Sequence, residues 1–178
     1  MEQCTSTSRV FNGRILKLRV DKVIFEDGLE ATREVVEHPG ASVIIPLLED
    51  NSILLVQQYR YAVGRELLEI PAGTCQIGEQ PELCAKRELQ EETGYACESL
   101  EKVLECYVAP GYSTEKIHFY LARGLSRIGQ NPDEDERITV VQISIPTALS
   151  KIRAGEICDA KTICAIFRVM DFVKDSTL

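Results

Sequence analysis

The chain has 178 residues, enough for one domain with a sizeable core, and at 44% hydrophobic and 27% charged its composition excludes disorder for the bulk of it. A net charge of −8 repels polyanions and so disfavours DNA or RNA binding, although local cations or bound metal ions could still draw a small anionic substrate into one cleft. No apolar run approaches the roughly 18 residues that span a bilayer, and Met1 to Arg9 lacks the apolar stretch of a signal peptide; the expected setting is the cytoplasm, with no membrane or nucleic-acid partner.

The first 40 residues read as strands. Val10, Ile15, Leu16, Leu18, Val20, Val23, Ile24 and Phe25 form a broken alternation around the turn signals Asn12-Gly13 and Glu26-Asp27-Gly28. A short strand over Thr32 to Glu37 stops at Pro39-Gly40, and the segment as a whole is expected to form a small sheet of its own. Ser42 to Leu48 and Ile53 to Tyr59 are strongly β-like, with Pro46 arguing against a central, fully paired place for the first of them. Leu67 to Pro71 is a short strand entering a glycine-bearing loop, Ala72 to Gly78. A helix follows from Pro81, which suits the first turn, to Thr93, with Gly94 as its C-terminal cap. Strands recur over Ser99–Val108, Lys116–Ala122 and Arg137–Ile145. Two helices finish the chain, one from Pro146 to about Ala154 and one from about Asp159 to Val173. Strands interleaved with a few helices, without regular βαβ alternation, predict an α+β or layered α/β/α domain. The seven cysteines are odd in number and include no C-x-x-C pair, and His38 and His118 have no Cys or His at zinc-site spacing. Reduced, mostly structural thiols are expected.

The chemistry is concentrated in Gly73 to Tyr95, GTCQIGEQPELCAKRELQEETGY. Glu88, Glu91 and Glu92 stand at i, i+3 and i+4, so a helix brings all three to one face. Such crowding costs an isolated helix a few tenths of a kcal/mol, but it is what a hard divalent cation needs, since Mg²⁺ and Mn²⁺ take oxygen ligands. Arg87 stands beside the cluster and can hold a carboxylate through two N–H groups. Gly73 and Gly78 let the preceding loop fold against the helix. An acidic helix face is ordinarily just solvated surface; the complete pattern decides otherwise. Gly73, Glu79, Arg87, Glu88, Leu89, Glu91, Glu92, Gly94 and Tyr95 follow G-x5-E-x7-R-E-U-x-E-E-x-G-U, where U is apolar, a coincidence of roughly one in a million for a chain this long.

That segment resembles the Nudix box, with an aromatic Tyr95 where an aliphatic residue is usual, and the resemblance extends over roughly residues 9 to 170. It implies a Nudix-type α/β/α sandwich with a small N-terminal β-sheet segment, divided as 1–40, a dimer-exchange segment, and 41–178, the catalytic domain. It implies Glu88, Glu91, Glu92 and the backbone carbonyl of Ala72 as ligands of Mg²⁺ or Mn²⁺, with Arg87 orienting the carboxylates and Glu79 fixing the loop. Pro110, 16 residues beyond Gly94 in Ala109-Pro110-Gly111-Tyr112-Ser113-Thr114-Glu115, is similar to a turn of the ADP-ribose pyrophosphatases, which makes Pro110, Ser113 and Glu115 candidate substrate contacts. The surroundings of Arg33 and Arg60 resemble the same subfamily, in which the first arginine reaches the substrate of the neighbouring subunit and the second lies near the phosphates. In Asp133-Glu134-Asp135-Glu136 the resemblance favours Glu134 as general base and Glu136 as a metal ligand. Gly155-Glu156-Ile157-Cys158-Asp159-Ala160-Lys161-Thr162 resembles the final turn and helix of the subfamily, with packing as its expected role. The activity so implied is metal-dependent hydrolysis of ADP-ribose to AMP and ribose 5-phosphate by a homodimer. Another nucleotide sugar such as GDP-mannose stays open as the substrate, as does a non-catalytic sensor on the same fold, although sensors of that type usually lose box carboxylates and none is missing here.

Overall fold

The computed structural model describes residues 1–131 and 136–173, which fall into two compact units. The first unit joins Met1–Gly40 to Glu105–Ile117. Strands β1 (Glu2–Asn12), β2 (Lys17–Phe25) and β3 (Glu30–Glu37) form an antiparallel sheet in that order, turning at the two expected places. Strand β1 begins eight residues before the first apolar residue of the sequence pattern. All of it is exposed, so no inward-facing set marks it. It is held by its backbone ladder to β2 and by surface ion pairs such as Arg9–Glu37 at 2.9 Å. The outer edge of β3 is taken by residues 112–114, with Val36 N–H donating to the Tyr112 carbonyl and Thr114 N–H to that of Val36. This is why Glu105–Ile117 belongs with the first 40 residues, an association their separation in sequence conceals.

The second unit carries β4 (Ala41–Pro46), β5 (Ser52–Arg60), β6 (Arg65–Glu69), β7 (Ala72–Thr74), β10 (Ile138–Ser144) and most of β8 (Tyr95–Tyr107) and β9 (Lys116–Arg127). One sheet has the order β10-β5-β6, the other β7-β4-β9-β8. Strand β4 is interior, contrary to what Pro46 suggested; the proline is its last residue, and hydrogen bonding resumes beyond it, from Leu47 N–H to the Ala122 carbonyl. Every residue of β4 is buried, as a continuous apolar run demands.

Among the described residues three α-helices complete the unit: α1 (Pro81–Glu88), α2 (Ile145–Arg153) and α3 (Ala160–Val173). Both α1 and α3 pack on β4, which gives a helix–sheet–helix layering. On the α1 side Ile44, Ala85, Leu89, Tyr120 and Ala122 form a buried cluster. A fully buried leucine or isoleucine there contributes about 1.5–3 kcal/mol. Both C-terminal helices are capped at their starts: the Ser144 hydroxyl accepts from Thr147 N–H at 3.3 Å, and the Asp159 carboxylate from Thr162 N–H at 3.0 Å.

The first helix does not run to Thr93 as an α-helix. It ends at Glu88, and Leu89–Thr93 winds as one π turn. The Thr93 hydroxyl bonds back to the Leu89 carbonyl, and Gly94 N–H closes on the Gln90 carbonyl at 2.8 Å. Gly94 then turns left-handed, and a Cβ there would lie 2.8 Å from the Gln130 backbone nitrogen, so only glycine fits. Single π turns recur at functional sites.

Candidate active site

The second unit presents its acidic side chains at the junction of α1, the π turn and the β6–β7 segment. Arg87 organises them. Its guanidinium meets Glu79 through two N–H groups, at 3.0 and 3.1 Å, and its Nη1 reaches Glu88 at 2.6 Å and Glu91 at 2.8 Å. Glu79 also accepts from Gln76 N–H at 2.8 Å, which closes the loop before the helix. Its neighbours hold Arg87 above its ordinary pKa, Glu79 foremost, and the guanidinium in turn depresses Glu79.

Glu92 is buried and Glu88 half-buried, both against their preference. Only 2% of Glu92 is exposed, and the one described hydrogen bond to its carboxylate comes from Ala72 N–H, at 2.9 Å. Burial pushes its carboxyl up to about 8; the Ala72 bond opposes this and the charges of Glu88 and Glu136 add to it. Burial likewise pushes Glu88 up to about 7, with Arg87 opposing. Gly73 makes this crowding possible: a Cβ there would stand 1.9 Å from the Glu88 carboxyl. The thiol neighbours are packed as tightly. Cys84 donates to the Gly73 carbonyl and receives an Arg87 N–H, and burial with Cys75 beside it holds its thiol well above the ordinary range.

A divalent cation fits this donor set. Glu88, Glu91 and Glu92 offer only oxygens, and two of them ionise readily only beside a positive charge. Among the described residues no three acidic, histidine or cysteine side chains already stand in a metal-binding arrangement, since Arg87 now takes up oxygens of Glu88 and Glu91.

The structure therefore brings Ala72, Glu79, Arg87, Glu88, Glu91 and Glu92 together, with Glu136 close enough for its charge to act on Glu88 and Glu92. Glu134 lies outside the described residues. Arg60 closes β5 and acts electrostatically on Glu92. Its guanidinium is held by Glu69, which sequence reasoning missed; the signal was a lone acid, in Leu67-Leu68-Glu69-Ile70, at the end of an apolar strand. Arg33, Pro110, Ser113 and Glu115 belong to the N-terminal unit. There Arg33 pairs with Glu2 at 2.7 Å and lies over the Phe25 ring, the Ser113 hydroxyl accepts from Glu115 N–H, and Glu115 is 3.8 Å from His38. The cysteines are free: Cys75 and Cys84 are buried, Cys97 and Cys106 half-buried, and Cys4, Cys158 and Cys164 exposed.

Comparison with known proteins agrees with this geometry. The pattern of the NUDIX domain matches residues 37–162. The chain is 40% identical to a methanol dehydrogenase activator of Bacillus methanolicus and 37% identical to an ADP-ribose pyrophosphatase of Bacillus subtilis (strain 168), each over 93% of this chain and 90% of the relative. A crystal structure of an ADP compounds hydrolase superposes with a TM-score of 0.87 over 99% of this chain and 96% of that one; at 22% identity it speaks for the fold alone. A guanidinium-clamped carboxylate cluster on a loop and helix, within a matched stretch that reaches from the end of β3 into α3, makes this chain a member of the NUDIX family.

Proposed function

We propose that the chain hydrolyses the pyrophosphate of ADP-ribose to AMP and ribose 5-phosphate, using Mg²⁺ or Mn²⁺, as a homodimer in the cytoplasm. The observation that carries this reading is the Arg87 clamp, which gathers Glu79, Glu88 and Glu91 beside the buried Glu92. The extended similarity to an ADP-ribose pyrophosphatase supports the substrate.

Glu88, Glu91, Glu92, the Ala72 carbonyl and Glu136 would hold the cations, which when bound neutralise the diphosphate and acidify a water. Arg87 keeps the carboxylates aimed while remaining charged at any working pH. Arg60 offers N–H groups to a phosphate oxygen. Glu134 takes the proton of the attacking water. Arg33 and the turn bearing Pro110, Ser113 and Glu115 are assigned to substrate recognition, Arg33 across the dimer.

Product chromatography after incubation with Mg²⁺ and a panel of ADP-ribose, GDP-mannose and related compounds is the test. AMP and ribose 5-phosphate should appear only with metal, and Glu134→Gln should lower turnover at least about tenfold with the fold intact. Preference for GDP-mannose would replace the substrate; absence of metal-dependent cleavage anywhere in the panel would remove the activity. Sedimentation of the same protein should give a dimer. A fully active monomer would take Arg33 out of the site.

A further inference from the structure

Strand β5 brings Arg60 to its end, and β6 ends at Glu69, which is 2% exposed. Their side chains meet through two bonds, Arg60 Nε to Glu69 Oε1 at 2.7 Å and Nη2 to Oε2 at 3.0 Å. A second cation meets the same carboxylate: Lys161, on the first turn of α3, bonds Oε2. A carboxylate this deep needs compensation, and removing a partner from such a pair is far costlier than the pair is worth in net stability. With Asp159 also on Lys161, two cations stand against two anions, and what the pairs fix is the position of the Arg60 guanidinium.

Asp159 touches Lys161 at 3.0 Å and accepts from Thr162 N–H and the Thr162 hydroxyl at the start of α3. Lys161 thus bridges Asp159 and Glu69, and Arg60 reaches Glu69 through Nε and Nη2. Among the described residues Arg60 Nη1 makes no hydrogen bond, and Arg60 is in electrostatic contact with Glu92. The same helix start fixes the approach to the cluster. The Thr162 hydroxyl accepts from Ile70 N–H at 2.8 Å, two residues before Ala72, whose N–H holds Glu92.

We propose that Glu69 and Lys161 are positioning residues for substrate. Lys161 neutralises Glu69, Glu69 fixes the guanidinium of Arg60 through Nε and Nη2, and Nη1 is left pointing its N–H groups at a phosphate oxygen of the nucleoside diphosphate. Fixing an arginine before binding spares part of the rotamer entropy that binding would otherwise cost, so the effect falls on affinity. The C-terminal segment expected only to pack thereby acts on the site through two charges and one hydroxyl. This inference rests on the hydrolase reading above.

The test is a double-mutant cycle on ADP-ribose hydrolysis, supported by one measurement without substrate. Glu69→Gln and Arg60→Met should each raise KM about tenfold with kcat changed less than about threefold, and the double variant should be no worse than Arg60→Met alone. Lys161→Met should raise KM severalfold and Lys161→Arg should restore it, which keeps the test open if Glu69→Gln does not fold. Additive losses in the double variant, or a wild-type KM in a folded Glu69→Gln protein or in Lys161→Met, would overturn the proposal. Without substrate, the Arg60 Nε–H resonance should be sharp and slow to exchange in the wild type and lose that protection in Glu69→Gln; an unchanged resonance would also overturn it. A wild type that shows the resonance but leaves ADP-ribose uncut would sink the activity reading and leave the Glu69–Arg60 clamp standing.

Discussion

Glu92→Gln is expected to reduce metal-dependent turnover about a hundredfold or more while the folded protein persists, because one buried carboxylate supplies charge that an amide cannot. The amide oxygen can still accept the Ala72 N–H that now bonds Glu92 at 2.9 Å, so the local geometry survives. The metal-free stability should move the other way. Folded, the Glu92 carboxyl titrates near 8, against an ordinary value of 4.5, so it holds its proton more tightly in the native state than in the unfolded one. Its contribution is therefore fully present below about pH 4.5 and is lost as the pH rises through about 8. Without metal, wild type and variant should melt alike near pH 5, and the variant should melt higher at pH 8.5, each kcal/mol relieved being worth about 2–4 °C in a protein of this size. Saturating Mg²⁺ should reverse the order at pH 8.5, raising only the wild type; at a hundred times Kd that is about 2.7 kcal/mol. Calorimetry with and without Mg²⁺, beside a turnover assay, reads all of this. Wild-type turnover in the variant would remove Glu92 from the site.

Gly73→Ala should separate stability from activity. The new methyl would stand 1.9 Å from the Glu88 carboxyl, and no real contact is that short. What it meets is the far end of a flexible side chain, so the glutamate gives way and the backbone need not. Thermal stability should change by no more than about 1 kcal/mol, within the ordinary range for point substitutions. Turnover should fall about a hundredfold, because Glu88 leaves both Arg87 and the cluster, and misplacement by about 1 Å can cost that much. Kinetics and melting on one preparation decide it. Full activity would mean that Glu88 need not stand where it does.

The site was legible wherever chemistry followed spacing along one element. Glu88, Glu91 and Glu92 announce a shared face by helical period, and Arg87 sits one residue away. Gly73 and Glu79 fell into place only as members of the complete pattern. The Arg60–Glu69–Lys161 contacts were not legible, because their partners are 9 and 92 residues apart and only the folded strands and α3 bring them together. Strand β1 was missed in part because periodicity reports burial, and β1 buries nothing. The π turn was hidden for a different reason. Leu89–Thr93 has the composition of a continuing helix, and a single hydroxyl on Thr93, with Gly94 behind it, redirects the bonding.

The buried pair Cys75 and Cys84 bears on the charge of the metal-free site. The Cys84 thiol, desolvated and crowded by its neighbour, resists giving up its proton. Sulfur therefore stands behind the carboxylates as a neutral donor to the Gly73 carbonyl, and adds no further negative charge to a cluster already crowded with it.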